Sequence, residues 1–415
     1  MAIKPVFLSS LICAFVFYSG LFYLPDKSQA RWLLNSEEVT EISGRILSSP
    51  AKTANGSYYS ANFSLMAAGD KRNFRSSASG KIKVMIPCEM VEAYAPGKLF
   101  SLSGQKPQEA FLFESGGCCT FQGKLSQKGF YVRECSAACW PSSLRGHLAH
   151  LRALCRLHFK RLMYSWGSGG GLLLALLCGA REYTDSATQD AFRRAGLSHI
   201  LALSGMHLSM FSAIALFFGN RAGIKKLTFF LRIFTLIAFV WFAGFSPSLT
   251  RAFICSMLMI AASIAGAKKP DTFSILCFAF LLQSALCPND IHSTAFILSY
   301  GALAGILLTS SFFNRFYSRF SPRIFATSLS AATGAQTITG PISLKIFGSF
   351  RPIGIISSTI VSPVVTIFIY SGLVLIVLSL IFPFLAKPSG IFINMQYTVI
   401  KYIVNIFSLV PNWHS

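Results

Sequence analysis

The sequence predicts a polytopic α-helical membrane protein of about 8–10 spans, with a small β-rich domain outside the membrane near its N-terminus. Of its 415 residues, 53% are hydrophobic and only 13% are charged. Soluble domains carry about 25% charged residues, so this composition suits a bilayer better than water. Most of the Asp and Glu residues lie before residue 151, which places the polar domain in that part of the chain.

The first apolar segment runs from Val6 to Leu24 and is long enough to cross a hydrocarbon core of ~30 Å. The small residues at 28–30 also fit a signal-peptide cleavage site, but the apolar segment exceeds the usual length of about 7–15 residues. We therefore interpret residues 1–30 as a retained N-terminal membrane anchor, with a cleaved signal peptide as the alternative.

Residues 31–145 show short runs in which apolar and polar residues alternate. Ile82, Val84 and Ile86 alternate with two lysines and a methionine, as in a strand with one buried face. Gly, Pro, Ser and Asn separate these runs, which favours a small antiparallel barrel or sandwich.

Four cysteines within this domain bracket a short segment. Disulfides are expected between them if the domain lies outside the cytoplasm. Zinc is the alternative, although the spacing lacks the paired C-x2-C motif of structural zinc sites. The four are Cys118, Cys119, Cys135 and Cys139.

Residues 146–166 predict an amphipathic helix that lies on the bilayer surface. Arg152, Arg156 and Lys160 recur at helical spacing, and leucines occupy the other face, as in interfacial helices. Trp166 follows at headgroup level, where Trp is favoured.

Residues 167–411 form the predicted membrane domain. Gly, Ser and Pro interrupt several of its apolar runs, as they do in spans that line a polar cavity. The predicted spans are 168–180 (short), 197–219, 227–245, 249–266, 273–287, 291–310, 324–342, 352–383 and 389–411.

Lys and Arg recur in every second loop between these spans, as alternating passage through the membrane requires. The interleaved loops at 245–248 and 287–290 contain neither residue. We therefore expect the basic loops in the cytoplasm and the β-rich domain on the outer face. The basic clusters are Arg221 with Lys225 and Lys226, Lys268 with Lys269, and Arg315 with Arg319 and Arg323.

The basic excess has a second interpretation. Residues 151–415 contain 21 Lys and Arg residues against five Asp and Glu residues. The preference for Lys and Arg in cytoplasmic loops explains most of this excess. The alternative is that the excess positive charge attracts a polyanionic substrate.

The densest polar group within apolar sequence comprises Ser198, His199, Ser204, Gly205 and His207. At a helical spacing, Ser204 and His207 share one face and His199 borders the same cavity. Polar residues inside a span usually face a bundle interior or water, which predicts a polar lining. The alternative is that they hold two helices together. A Ser–His nucleophile is disfavoured because nothing places an orienting carboxylate or an oxyanion hole.

Two further polar groups follow. Ser246 and Ser248 flank a proline, where they can cap a helix, and Arg251 lies just inside the next span. Arg251 either reaches back to the interface or faces a path for an anion. Gln336 lies among apolar residues and needs a hydrogen-bond partner.

Together these runs resemble the ComEC/Rec2 competence family, whose members are membrane channels for single-stranded DNA. Ile297 replaces a glutamine of the family pattern and Ser358 an asparagine. The most specific run matches at Phe192, Arg193, Gly196, Leu197, Ser198, His199, Ile200, Leu201, Ala202, Ser204, Gly205 and His207, and the supporting runs at Gly244, Ser246, Pro247, Ser248, Arg251, Ala252, Phe296, Ser299, Gln336, Pro341, Phe347, Gly348 and Pro363.

The resemblance covers about residues 35–380 and implies an OB-like domain at 31–145 and a transmembrane channel domain at 167–411. The expected function is passage of single-stranded DNA through the bacterial inner membrane during natural transformation. Arg193, Arg194 and Arg251 would contact phosphates. The path would be lined by Ser198, His199, Ser204, Gly205, His207, Ser246, Ser248 and Gln336.

The implied partners are single-stranded DNA, membrane lipid and a separate DNA receptor, ATPase and nuclease, with a homodimer left open. No cofactor, metal or enzymatic activity is expected, because the His-x-His-x-Asp-His motif of the longer members' nuclease domain is absent. A transporter of another anionic or lipid-linked substrate is the alternative, and an assembly protein is a third class.

Overall fold

A computed structural model describes residues 5–18, 30–32, 38–53, 56–70, 75–92, 112–266, 271–410 and 413–414. The chain divides into two compact units, each described by itself. The strand-containing unit comprises Leu24–Gly171 and Ala180–Tyr183, and the helical unit comprises Met1–Tyr23, Leu172–Gly179 and Thr184–Ser415.

The helices are numbered along the described chain as α1 Pro5–Tyr18, α2 Cys88–Glu92, α3 Leu144–Ser165, α4 Gly167–Cys178, α5 Ser186–Arg194, α6 Gly205–Arg221, α7 Lys225–Ala243, α8 Pro247–Ile264, α9 Thr272–Leu286, α10 Thr294–Tyr317, α11 Arg323–Phe347, α12 Gly354–Ile381 and α13 Ala386–Ser408. The strands are β1 Arg31–Trp32, β2 Val39–Ile46, β3 Ala51–Lys52, β4 Tyr58–Asp70, β5 Arg75–Ser79, β6 Lys81–Pro87, β7 Cys118–Ser126, β8 Gly129–Cys139, β9 Ser349–Phe350 and β10 Trp413–His414.

Five strands of the first unit close into a ring in the order β2-β4-β6-β8-β7, because β7 also pairs with β2. Four of the five pairings are antiparallel, and β6 pairs with β8 in parallel. Strands β3 and β5 pair with β4, and β1 pairs with β5. A β-sheet region near the N-terminus was predicted and is confirmed.

The alternation on β6 has the expected structural cause. Val84 and Ile86 lie in the core, whereas Lys81 and Lys83 are exposed. Large aromatic side chains fill the interior of the ring, including Phe121, whose ring lies 5.4 Å from that of a phenylalanine on β4. Burial of one face of each strand therefore sets the register of the ring.

Helix α3 is present where an amphipathic helix was predicted, but its basic residues turn inward. Arg156 is 4% exposed and lies 3.5 Å from the carboxylate of Glu114. Lys160 contacts Glu114 at 3.4 Å and Glu182 at 2.9 Å. The leucines of the other face, at 144, 148, 151 and 154, are exposed. The charged face of α3 thus binds carboxylates of its own unit.

The helical unit confirms the coarse fold prediction of a mostly helical chain with apolar helices. Among the described residues, four helices are long and apolar enough to cross a membrane, namely α7 (from Lys226), α8, α10 and α12. Helices α1, α4 and α9 are apolar but shorter. The total of 8–10 spans stays a prediction. The predicted anchor beyond Tyr18 and the basic pair Lys268 and Lys269 lie outside the described residues.

The helix in the predicted span 197–219 begins later than expected, at Gly205. Gly196 adopts a left-handed backbone, with φ of +73°, which ends α5 as glycine commonly does. Residues 195–204 then form turns, and α6 begins at Gly205. Leu197, Leu201 and other apolar residues of this segment are buried without being helical. Their hydrophobicity reflects tertiary packing, which a hydropathy window cannot distinguish from a span.

Candidate functional site

The start of α6 is built by Ser204 and His207. Ser204 is extended and serves as the N-cap, and His207 is the third residue of the helix. The Ser204 backbone N–H donates to His207 Nδ1 at 3.2 Å, and the Ser204 hydroxyl lies 3.3 Å from the same nitrogen. The Ser204 side chain also accepts from the His207 backbone N–H, and the two reciprocal hydrogen bonds form a capping box. It explains the spacing of the Ser–His pair without nucleophilic chemistry.

The start of α8 is docked against this cap. Ser246 is the N-cap of α8 and accepts a hydrogen bond from Leu249 N–H. The Ser248 hydroxyl donates to the carbonyl of Leu203 at 2.7 Å. A β-carbon placed on Gly205 would lie 3.4 Å from a guanidinium nitrogen of Arg251. The first two polar groups of the sequence therefore meet at one place.

Arg251 connects α8 to α10. Its Nη1 donates to the carbonyl oxygen of Ser299, and its guanidinium lies 5.9 Å from the centre of the Tyr300 ring, a cation–π distance. The Tyr300 hydroxyl donates to Gln283 Oε1 at 3.0 Å, and Gln283 Nε2 donates to the Pro247 carbonyl at 3.1 Å. A closed circuit of polar contacts thus joins α8, α9 and α10.

We call this group the polar cluster. It lies at the end of the helical unit where α6, α8 and α10 begin and α9 ends. Two of its buried nitrogens, His207 Nε2 and Arg251 Nε, have no hydrogen-bond partner among the described residues. Unsatisfied buried donors are uncommon in native structures and call for an explanation. The polar cluster comprises Ser204, Gly205, His207, Ser246, Ser248, Arg251, Gln283 and Tyr300.

Gln283 and Tyr300 were missed by sequence reasoning. Gln283 is fully buried within the otherwise apolar helix α9. A lone amide in an apolar run needs internal partners, and that argument, applied to α9, would have identified it. Tyr300 carried no such signal, because a tyrosine in a span is common at interfaces.

His199 does not share a helix with His207, so the helical geometry from which both were predicted to border one cavity was wrong. His199 and Ser198 lie in the turns before α6, and both are exposed. Their proposed place along a substrate path stays a prediction, as it does for the other lining residues.

A second group forms around the end of α5. The hydroxyl of Ser357 donates to the Ala195 carbonyl at 2.7 Å, and a β-carbon on Gly196 would lie 2.8 Å from the Cα of Gly354. A β-carbon on Gly354 would in turn lie 2.8 Å from Gln336 Nε2 and 3.2 Å from the Gly196 carbonyl oxygen. The end of α5 and Gln336, the third polar group of the sequence, therefore meet at the start of α12.

The four cysteines of the strand-containing unit are free thiols in this structure, and they lie on β7 and β8. Cys118 and Cys139 are directly opposite each other. The Cys119 thiol donates to Cys135, which raises the pKa of Cys119 and lowers the pKa of Cys135. Among the described residues no three His, Cys, Asp or Glu side chains are grouped to hold a metal ion.

Two disulfides are expected if this unit faces an oxidising compartment, Cys118–Cys139 and Cys119–Cys135. Cys118 and Cys139 are opposite residues of antiparallel strands, whose Cα atoms lie about 4.5–5.5 Å apart, within the range that a disulfide spans. Cys119 and Cys135 are not directly opposite each other, but their thiols are hydrogen-bonded. Mass spectrometry after alkylation without reductant would detect both pairs. Cys88, whose thiol donates to the Gly56 carbonyl, serves as the control and should be alkylated. Four alkylated thiols on β7 and β8 would contradict the expectation.

The family match to known proteins falls mainly on the helical unit. The family described as "Competence protein" matches residues 176–414, which is more than half of the chain. "ComE operon protein 3" of Bacillus subtilis (strain 168) is 28% identical over 206 residues, covering 49% of this chain and 26% of the relative. "Recombination protein 2" of Haemophilus influenzae is 28% identical over 148 residues, covering 33% and 18%.

An uncharacterized protein of Aquifex aeolicus (strain VF5) is 25% identical over 243 residues, covering 57% of this chain and 53% of the relative. The chain therefore spans between about a fifth and about half of the length of these relatives. No solved structure matches it. The matched family segment contains the polar cluster and the residues around Gly196 and Gly354.

Proposed function

Because the chain belongs to the ComEC/Rec2 competence protein family, we propose that its helical unit carries single-stranded DNA through the bacterial inner membrane during natural transformation. The family suggests a role in DNA uptake. The observation that supports the finer proposal is the polar cluster. It gathers residues from two separate family motifs at one end of apolar helices and leaves buried His207 and Arg251 nitrogens without partners.

The charge of the unit supports a polyanion as substrate. Strands of nucleic acid are commonly held in positively charged grooves, and Arg193 and Arg194 are exposed at the end of α5. Arg251 is engaged with Ser299 and Tyr300, so a phosphate contact from Arg251 would require it to release an internal partner. In this proposal the exposed arginines meet the strand first and Arg251 maintains the path beneath them.

The strand-containing unit is proposed to be an OB-type domain on the periplasmic face. An OB fold is a five-stranded barrel that commonly binds oligonucleotides, and the closed ring β2-β4-β6-β8-β7 has this strand number. Lys81 and Lys83 are exposed on β6 and would supply backbone contacts to DNA.

The exposed leucines of α3 support its placement on the bilayer surface. Arg156 and Lys160 are already neutralised by Glu114 and Glu182, and the face left for the surroundings carries four exposed leucines together with exposed Arg145, His147 and His158. Membrane lipid is thus a proposed partner of α3. A separate DNA receptor, ATPase and nuclease are proposed as further partners, and a homodimer is compatible with this arrangement.

The proposal is tested by uptake of fluorescently labelled DNA in cells that lack this chain and in cells that carry it. Cells without the chain should bind DNA at their surface but fail to accumulate a single strand in the cytoplasm, and the wild-type gene should restore accumulation. Normal cytoplasmic accumulation without the chain would contradict the proposal. It would favour the alternative, transport of another anionic or lipid-linked substrate.

A further inference from the structure

Three arginines converge where the end of α5 meets the start of α12. Arg193 and Arg194 are the last two residues of α5, and Arg351 lies in the connection between α11 and α12. Gly196 packs so closely that a β-carbon on it would stand 3.4 Å from the Arg351 carbonyl oxygen. The hydrogen bond from Ser357 to the Ala195 carbonyl holds this contact. We call these three residues the arginine cluster.

The arginine cluster carries excess positive charge. Arg193 pairs with Asp190 at 2.9 Å in an exposed salt bridge, which contributes little. Within the described part of the chain, neither Arg194 nor Arg351 pairs with a carboxylate. Burial lowers the pKa of Arg351, and the neighbouring charges of Arg193 and Arg194 lower it further. The three arginines are therefore close enough for the charges of Arg193 and Arg194 to act on Arg351.

Arg351 also has an unused donor. Its Nη1 is buried and has no hydrogen-bond partner among the described residues. A buried N–H of a charged group that lacks an acceptor is unfavourable, so an acceptor that binds there would be stabilised. Guanidinium groups bind phosphate oxygens in bidentate geometry, which makes a phosphate group a fitting acceptor.

We propose that Arg351, together with Arg193 and Arg194, binds a backbone phosphodiester of the single strand that the helical unit takes up. This inference rests on the proposed function and adds Arg351 as a residue that positions the strand at the start of α12. A second unsatisfied group lies nearby: Gln336 Oε1 is buried without a partner among the described residues, and the bases of a nucleic acid offer hydrogen-bond donors for such an acceptor.

The support for the arginine cluster is rigid. Helix α5 is fixed to α13 by a hydrogen bond of 2.8 Å between the hydroxyls of Thr188 and Tyr397. The Lys401 ammonium lies 3.6 Å from the carboxylate of Asp185, the N-cap of α5. Arg193 and Arg194 are thus presented on a helix anchored at its other end, which suits a fixed binding position for one phosphate.

The test is binding of a labelled single-stranded oligothymidylate to the full chain in nanodiscs of neutral phosphatidylcholine, measured across a salt series. Arg351→Gln should weaken binding about tenfold at low salt. It should also reduce the slope of log affinity against log salt by about 0.7, the value for one single-strand phosphate contact. Arg351→Lys should keep most of the slope, because the charge remains. Arg319→Gln, at the opposite end of α11, is the matched control and should bind as wild type.

Three outcomes would overturn the inference. One is unchanged oligonucleotide binding by Arg351→Gln, and another is equal weakening by Arg319→Gln. The third is a difference seen only when anionic lipid replaces phosphatidylcholine, which would assign the arginine cluster to lipid headgroups. Failure of the proposed function is distinguishable: DNA uptake by cells would be independent of the chain, while oligonucleotide binding would still depend on Arg351.

Discussion

Replacing Arg251 by glutamine is expected to lower uptake of labelled DNA by about tenfold to a hundredfold at normal protein level. The guanidinium donates to the Ser299 carbonyl, lies over the Tyr300 ring and contacts the start of α6 beside Gly205. A hydrogen bond from a charged donor contributes about 1.5–3 kcal/mol, and tenfold corresponds to about 1.4 kcal/mol. Glutamine cannot reach all three partners.

Arg251→Lys should retain only part of the activity, because lysine keeps the charge but lacks the planar fork. Arg232→Gln is a suitable control. Arg232 also lies within an apolar helix and donates to the Ser212 hydroxyl at 2.8 Å, but it lies outside the polar cluster. Comparable uptake by all of these variants would contradict the proposed path. Loss of protein rather than of uptake per molecule would favour the assembly-protein class.

Two substitutions of His207 can separate its role in capping α6 from its proposed role in transport. His207→Ala removes the side chain that accepts from the Ser204 backbone N–H in the capping box, so it should weaken the start of α6. His207→Gln keeps a side chain that can complete the box but removes the buried Nε2 that has no partner among the described residues. If that nitrogen serves the strand, the glutamine variant should be stable and deficient in uptake. Normal uptake by His207→Gln would restrict His207 to capping.

Glu114→Gln is expected to destabilise the strand-containing unit by about 3–5 kcal/mol, the usual consequence of removing one partner of a buried ion pair. Glu114 is 4% exposed and faces Arg156, Lys160 and the hydroxyl of Ser49. Burial alone would raise its pKa, but Lys160, Arg156 and Ser49 together hold the pKa of Glu114 at about 2. The neutral variant would leave Arg156 and Lys160 with less negative charge nearby.

The destabilisation should depend on pH in a defined direction. The folded pKa of about 2 lies below the ordinary value of 4.5, so the ionised carboxylate stabilises the fold fully above pH 4.5. That contribution, about 3 kcal/mol, is lost as pH falls from 4.5 toward 2. Thermal unfolding of wild type and Glu114→Gln should therefore differ at neutral pH and converge in acid.

Glu41→Gln is the control for this comparison. Glu41 pairs with Arg75 at 2.7 Å, but the Arg75 side chain is 65% exposed, and exposed pairs contribute about 0–1 kcal/mol. If Glu41→Gln lowered the unfolding temperature as much as Glu114→Gln does, burial of Glu114 would have no special effect.

Much of the fold was predictable from local sequence. The alternation around Val84 and the apolar runs of α7, α8, α10 and α12 indicate elements whose period or length is visible in a few neighbouring residues. The boundary before α6 was not predictable in this way, because the apolar residues Leu197, Ile200, Leu201 and Leu203 are buried without being helical. Hydropathy reports burial and does not report backbone conformation.

The sequence by itself determined the fold class, the family and the identity of most polar residues within the apolar helices. Only the tertiary structure decided which of them meet. Arg251 finds Ser299 across 48 positions, and Ser357 finds Ala195 across 162. Such contacts depend on how whole helices pack, since buried polar groups must take their partners from whichever helix lies beside them. For the same reason Arg351, a single basic residue in a short loop, became significant only beside Arg193 and Arg194.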